Sequence, residues 1–252
     1  IAGGSCAMLL AHSTQRPMKT LNIEVWSDIA CPWCLVGKQR LEAALAMFPE
    51  RAQVKVQWRA FELEPGAPAV QPAAPSLVER LAAKYGMSVA EAQRRIDDMT
   101  TLGRGEDIDF RFDRVRGVNT FAAHRVLSLA AERGVQAAAK ARLMRAYFTE
   151  GEVLSDPETL VRLGGEVGLQ ADDVRAALQD DARAEAVRAE EREARSLGIN
   201  GVPCFVFDRR VGVSGAQPPE ALLRVLREVW DALPEPDATG EAPVCGPEGC
   251  EI

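Results

Sequence analysis

No stretch of this chain approaches the ~18 consecutive apolar residues that a membrane span requires. Positive charge is not in excess either: 30 Lys and Arg stand against 37 Asp and Glu, for a net charge of −7 and a pI near 5.1. A phosphate backbone selects a basic surface, so neither nucleic acid nor a membrane is expected as the main partner. The first 17 residues also read poorly as an export signal. The apolar segment Ala7-Met8-Leu9-Leu10-Ala11 is too short for an h-region and follows no basic n-region. The compartment expected is therefore the cytoplasm, where structural disulfides are uncommon and paired cysteines lean toward redox or metal chemistry. Histidine is scarce, with His12 and His124 the two present. There is no internal repeat.

What is there is an ordinary globular composition, 47% apolar and 27% charged. A chain of 252 residues suits one large domain or one domain carrying an insertion, and it can bury a full core without disulfide staples. Residues 1–17 show no pattern and are read as a leader, appended or flexible. From Met18 the pattern begins. Leu21, Ile23 and Val25 alternate with Asn22 and Glu24, which predicts a strand. Turn chemistry at Ser27-Asp28 leads into Cys31-Pro32-Trp33-Cys34, and Leu41, Leu45 and Phe48 then recur at helical spacing until Pro49. A second strand follows, with Val54, Val56, Trp58 and Ala60 alternating with Lys55, Gln57 and Arg59.

Beyond a Pro- and Ala-rich loop at 64–75, almost everything from 76 to 198 reads as helix, with Gly86, Gly134, Gly151, Gly168 and Gly198 where helices should end. Gly103 to Gly117 interrupts it, and Ile108, Phe110 and Phe112 lie in that interruption. Ser155-Asp156-Pro157-Glu158 has the form of a helix start. The charge-rich run Glu190-Glu191-Arg192-Glu193 reads most simply as a solvated helix face. Strand character returns at Cys204-Phe205-Val206-Phe207, Val211 and Val213 suggest its hairpin partner, and Pro218-Pro219 opens a last helix. The order β-α-β, helical block, β-β-α predicts an α/β fold with a large all-helical insertion that packs over the site as a lid. The expected divisions are a leader at 1–17, a first half-domain at 18–75, the insertion at 76–198, a second half-domain at 199–232 and a tail at 233–252.

A Cys-x-x-Cys at the first turn of a helix is chemically special. The unsatisfied N–H groups there carry roughly +0.5 charge, which favours thiolate over thiol and lowers a cysteine pKa from ~8.5 toward ~3.5–7.5. Pro32 suits that turn because its missing N–H has no partner to lose. Cys31 is therefore the expected nucleophile, and Cys34, one turn in, the thiol that resolves the mixed disulfide. The same spacing also serves as a zinc half-site, but its place between a strand and a helix favours redox chemistry.

These residues carry a family likeness. Ser27-Asp28-Ile29-Ala30-Cys31-Pro32-Trp33-Cys34 with Gly37-Lys38 resembles the active-site signature of DsbA-family oxidoreductases of the FrnE type. The likeness continues through Asn119-Thr120, Ala123-His124-Arg125, Ala146-Tyr147-Phe148 and Glu166-Val167-Gly168-Leu169. It closes with Leu197-Gly198-Ile199-Asn200-Gly201-Val202-Pro203 and Ser214-Gly215-Ala216-Gln217, so that it covers about residues 20–232. The resemblance implies a thioredoxin-like fold with an inserted helical domain. It also implies disulfide exchange on protein disulfides or thiols and on small thiols such as glutathione, with no cofactor and no metal. In such folds the Gly-Val-Pro loop carries a cis proline facing the cysteine pair, so Val202 and Pro203 join Pro32 and Trp33 as substrate-contacting candidates, with His124 as a further cleft candidate that could equally be a packed helix histidine.

Two features depart from the family pattern. Cys204 follows Pro203, where the family more often has Thr or a bulky apolar residue. It reads as a buried inert thiol, a third redox thiol or a metal ligand. Cys245 and Cys250 form a Cys-x4-Cys around a turn-forming Gly-Pro-Glu-Gly. At ~3.3 Å per residue the tail from Trp230 could reach Cys31, so this dithiol is an accessory redox candidate, a closed terminal loop, or half of an all-cysteine zinc site with Cys31 and Cys34. Cys6 reads as an unpaired leader thiol. The rival functions are a glutathione-dependent isomerase or transferase of the related kappa-class type, whose members typically carry serine in place of the complete pair, and a zinc-binding chaperone or scaffold. Reductase or isomerase work suits the cytoplasm, and so do oxidative-stress roles.

Overall fold

The computed structural model of the chain describes residues 19–69 and 75–234. In chain order the elements are β1 (Leu21–Ser27), α1 (Pro32–Ala46), β2 (Val54–Ala60), α2 (Leu77–Tyr85), α3 (Val89–Gly105), α4 (Phe121–Glu132), α5 (Gln136–Arg145), α6 (Pro157–Glu166), α7 (Ala171–Gln179), α8 (Asp181–Ser196), β3 (Cys204–Phe207), β4 (Val211–Ser214) and α9 (Pro219–Ala232). A wider turn, Ala146–Glu150, continues α5 and ends at Gly151, whose φ of +77° needs a residue without a Cβ. The helix starts follow local chemistry. Ser76 and Glu79 form a reciprocal capping box on α2, Ser88 caps α3, and Asp156 caps α6 ahead of Pro157. α3 runs to Gly105, two residues past the expected break at Gly103, and the segment from there to α4 is irregular.

The sheet is mixed, in the order β2-β1-β3-β4. β1 pairs in parallel with β2, Val25 opposite Trp58, and antiparallel with β3, Trp26 opposite Cys204. The hairpin of β3 and β4 places Cys204 opposite Ser214. This is the α/β architecture expected from the pattern. Because side chains alternate across a strand, Leu21, Ile23 and Val25 face one side with Phe205 and Phe207, where Leu41 of α1 and Leu222 and Leu226 of α9 cover them. A second apolar core fills the helices between β2 and β3, and Cys31 and Cys34 belong to it. The redox motif thus sits where the sheet layer meets the helical block.

The run at Glu190–Glu193 is a solvated face only at Arg192. α8 lies across the other side of the sheet, and Glu191 is buried. The N–H groups of Ala60 and Glu62 donate to Glu190 Oε2 (2.7 Å) and Glu191 Oε1 (3.3 Å), while Arg59 bridges Glu190 and the buried Glu24. Local charge density says nothing about this, because the partners are backbone groups at the end of an edge strand that only the folded chain brings to α8.

The end of α3 supplies a stability prediction. A Cβ on Gly103 would stand 2.3 Å from Cδ2 of Phe110 and 3.1 Å from the carbonyl oxygen of Ile108. The Phe110 ring cannot move aside, since it stacks on Phe112 at 5.0 Å and meets Phe148 edge-on at 5.3 Å. Gly103→Ala is expected to destabilise the protein by about 1–3 kcal/mol, the scale of overpacking a closed core. Urea denaturation measures it, and an unchanged midpoint would show that the ring has room.

Candidate active site

β1 ends at Ser27, and Asp28-Ile29-Ala30 turns the chain so that Cys31 becomes the N-cap of α1 in an extended conformation (φ −95°, ψ 112°), with Pro32 in the first turn. The N–H groups of Cys34 and Leu35 donate to the Cys31 carbonyl at 3.0 and 3.4 Å, which closes the first turn beneath the motif. Across from it the Val202–Pro203 peptide is cis. The Cys31 thiol donates to the Val202 carbonyl, 3.7 Å from sulfur to oxygen. Gly37 lets α1 approach this loop, because a Cβ there would lie 2.9 Å from Cγ of Pro203.

Cys31, Pro32, Trp33 and Val202 form one wall of a cavity of about 870 Å³. The helical block supplies the opposite wall, mainly apolar, through residues such as Leu81 of α2 and Ile96 and Met99 of α3. Trp33 is 45% exposed at its mouth. Cys31 faces this space, whereas Cys34 is fully buried behind it.

A buried polar layer lies under the pair. Asp28 accepts from the N–H of Leu63 at 2.8 Å and of Ala30 at 3.3 Å, and its Oδ1 lies 3.5 Å from His124 Nε2. Burial pushes this carboxyl up, but His124, the Leu63 N–H and Thr120 outweigh it and leave its pKa below the ordinary value. Lys140 of α5, fully buried, donates to the Ser27 carbonyl at 3.3 Å. Its pKa is lowered to about 8 by burial, against the opposing pull of Cys34, Asp28 and Cys31. Hydrogen bonding with Cys34, reinforced by burial and by Asp28, holds the Cys31 thiol well above the usual range. At Cys34 burial also pushes up, but Cys31, Lys140 and Ser27 outweigh it and bring the thiol down.

The whole arrangement draws on the chain from the end of β1 to the loop before β3. A family model, the DSBA-like thioredoxin domain, matches residues 22–227. The chain belongs to the DsbA-like thioredoxin family. It is a thiol–disulfide oxidoreductase by that membership. This DsbA-like protein is 45% identical to a Streptomyces coelicolor protein described as a probable DsbA oxidoreductase, with a TM-score of 0.80 over 92% of this chain and 99% of that one. It is 28% identical over 202 residues to Bacillus subtilis YwbO, covering 75% of this chain and 87% of YwbO. A structure of DsbM from Pseudomonas aeruginosa with GSH, described as a cytosolic disulfide reductase, is 20% identical with a TM-score of 0.59, over 83% of this chain and 99% of that one. At that identity the likeness is one of fold.

The remaining candidates of this DsbA-like protein fall in different places. Pro32, Trp33, Val202 and Cys31 come together on the cavity wall, with Pro203 packed behind Val202 against Gly37. His124 does not line that cavity. It is buried on α4 behind Asp28 and reaches the site through that carboxylate. Cys204 is buried among Trp26, Ala194 and Ile199 on the α8 side of the sheet, and burial raises its thiol pKa. Cys6, Cys245 and Cys250 lie outside the described residues, so the all-cysteine zinc arrangement does too. Among the described residues no helix is long and apolar enough to cross a membrane. Lys140 was not singled out by motif or composition. Its one sequence signal is position: it shares the helical stripe of Leu143, Met144 and Tyr147, all buried.

Proposed function

We propose that this DsbA-like protein is an oxidoreductase of the FrnE type that exchanges disulfides through Cys31 and Cys34, acting on protein disulfides or thiols and on small thiols such as glutathione. The observation that carries this reading is the division of the pair between cavity and core. Cys31 faces an apolar-walled space of substrate size, and Cys34 is fully buried behind it. In the reducing direction the Cys31 thiolate attacks a substrate disulfide and one substrate sulfur leaves as thiolate. Cys34 then loses its proton and attacks Cys31, the second substrate sulfur leaves, and the pair ends as a disulfide. In the oxidising direction the same mixed disulfide is reached from a substrate thiolate.

The cleft between Trp33 and the α2–α3 helices supports extended apolar substrates. Residues 76–198 are read as the helical insertion that builds its far wall, with 18–75 and 199–232 as the two halves of the sheet domain. The accessory role of Cys245 and Cys250, and a cytoplasmic site of action, belong to the same reading.

Insulin reduction with glutathione as electron source tests it. Cys31→Ser is expected to bring the rate down to the uncatalysed background. An unchanged rate would sink the proposal. Retained glutathione-dependent isomerisation of a chromene carboxylate by that variant would favour the kappa-class alternative, and stoichiometric zinc with no free thiols in anaerobically purified protein would favour the scaffold.

A further inference from the structure

The cavity in front of Cys31 has charge on its helical wall that an apolar substrate leaves unused. α2 and α3 bring Arg80, Lys84 and Arg95 to its lining, although the chain as a whole is acidic. The carboxylates on the same lining are Asp28 and Glu64, and both are engaged. Glu64 pairs with Lys84, while Asp28 lies buried beneath the wall, held by the Leu63 and Ala30 N–H groups and facing His124. Arg95 pairs with Glu91, one turn earlier on α3. Arg80 is half-buried and donates from Nη1 to the Pro75 carbonyl. It stands where the cavity adjoins a second, polar chamber of about 680 Å³. That chamber adds Arg114 and Arg116, and its own carboxylates, Asp113 and Glu150, are paired with Arg111 and with Arg142 and Arg145. The charge facing this space is therefore positive on balance.

Tyr147 supplies the second observation. It lies on the turn after α5, lines the Cys31 cavity and is 5% exposed. Its ring is set edge-on against Phe148, 4.9 Å between centroids. Among the described residues its hydroxyl makes no hydrogen bond, yet the oxygen is not one of the sealed atoms of the core, so the surface left to it opens on the cavity. A polar group this deep is costly without a partner, and a phenol offers one O–H donor. Burial and the Asp28 charge keep that proton in place, while the Arg80 charge pulls the other way. The phenol and the guanidinium thus act on one another across the same space.

We propose that Arg80 and Tyr147 form a carboxylate subsite of the Cys31 cavity, which selects peptidic thiols and disulfides bearing a carboxylate near the reacting sulfur. This rests on the reading of Cys31 as the exchanging thiol. A guanidinium presents paired N–H donors that match the two oxygens of a carboxylate, and the phenol adds a third donor. Leu81, Ile96 and Met99 cover the apolar part of the same ligand. The subsite is on the helical wall, opposite Val202, so the ligand is held from two sides with its sulfur at Cys31. Two sources carry this chemistry, glutathione and an acidic cysteine segment of a protein.

The full-length protein, reduced beforehand, tests this by its rate of oxidation with matched disulfides. These are glutathione disulfide against its ethyl ester, and the dimer of a cysteine peptide flanked by Glu against one flanked by Gln. Hydroxyethyl disulfide, which has no carboxylate, gives each protein its own reference rate. Wild type is expected to prefer a carboxylate over its neutral match by about tenfold, the scale of one hydrogen bond to a charged group. In Arg80→Gln and in Tyr147→Phe that ratio is expected to fall toward one. Preference for glutathione disulfide alone supports the subsite with the small thiol as its ligand, and preference for the Glu peptide as well extends it to acidic protein segments. No preference in wild type overturns the proposal, and so does a preference that survives both substitutions. A Tyr147→Phe protein slowed equally with every disulfide makes Tyr147 a packing residue and overturns it too. Should a variant not fold, wild type decides. S-methylglutathione, or the Glu peptide alkylated at its cysteine, is expected to protect Arg80 from phenylglyoxal, read by mass spectrometry, and the neutral counterparts are not; equal labelling overturns the proposal. If wild type reacts with none of the disulfides, the reading of Cys31 fails and the subsite falls with it. Reaction with hydroxyethyl disulfide and no preference elsewhere rejects the subsite alone.

Discussion

Cys34→Ser is expected to stop catalytic turnover, by about a thousandfold or more, while leaving the protein able to attack one disulfide. The reason is geometric. Cys31 faces the cavity and retains its place at the helix N-terminus, so a substrate disulfide can still be opened there. The resolving sulfur is the one lost, and among the described residues no other thiol stands beside the pair to replace it. Cys204 lies on the α8 side of the sheet among Trp26, Ala194 and Ile199, and burial holds its thiol protonated. The mixed disulfide should therefore accumulate. Non-reducing electrophoresis and mass spectrometry should find one substrate equivalent bound at Cys31, released by dithiothreitol, whereas Cys31→Ser should capture none. Adducts at Cys34 in the Cys31→Ser variant would mean that the buried sulfur is reachable by substrate, and the division of roles would have to be reversed. The same trap, applied to a cell extract, would identify substrates.

Asp28→Ala should produce the largest loss of stability, about 3–5 kcal/mol, the scale on which removing one partner from a buried charged pair acts. That is a large part of the roughly 5–15 kcal/mol by which a native domain is stable. Asp28 is 2% exposed, and its carboxylate satisfies the Leu63 and Ala30 N–H groups while facing His124. Alanine leaves those donors buried with no acceptor. The pH dependence has a definite sign. The folded carboxyl has a pKa below its ordinary value of 3.8, so its contribution is fully present above that value and is lost as pH falls through the lower folded one. Wild type should lose stability along that acid limb, and Asp28→Asn should lose less, since its amide oxygen can still accept from Leu63 but carries no charge to be neutralised. Urea midpoints measured across acid pH decide this. An Asp28→Ala protein within about 1 kcal/mol of wild type would show that water replaces the carboxylate.

Much of this site was legible before any coordinates. The alternation of Leu21, Ile23 and Val25 and of Val54, Val56 and Trp58 marks strands because a pleat turns successive side chains to opposite faces. Cys31-Pro32-Trp33-Cys34 marks a helix start because proline costs nothing at that turn. The glycines at 86, 134, 151, 168 and 198 mark helix ends because the chain there takes a positive φ, as the backbone does at all five. His124 shows the limit of this kind of reading. Its helix was evident, but whether it lines the cleft or stands behind Asp28 depends on how α4 is rotated against the sheet.

The sequence by itself determined the strands, the redox turn and the apolar stripes of the helices, since these follow from backbone sterics and side-chain periodicity within a few residues. Only the tertiary structure decided which charges are buried and against what. Lys140 looks like one more surface lysine in an Ala-rich helix, and Glu190 and Glu191 look like a solvated run, until α5 and α8 are laid against β1 and β2. Desolvation and Coulomb interaction act between groups close in space, whatever their distance along the chain. So the buried polar layer beneath the cysteine pair is assembled from Asp28 after β1, His124 of α4 and Lys140 of α5, which lie far apart along the chain.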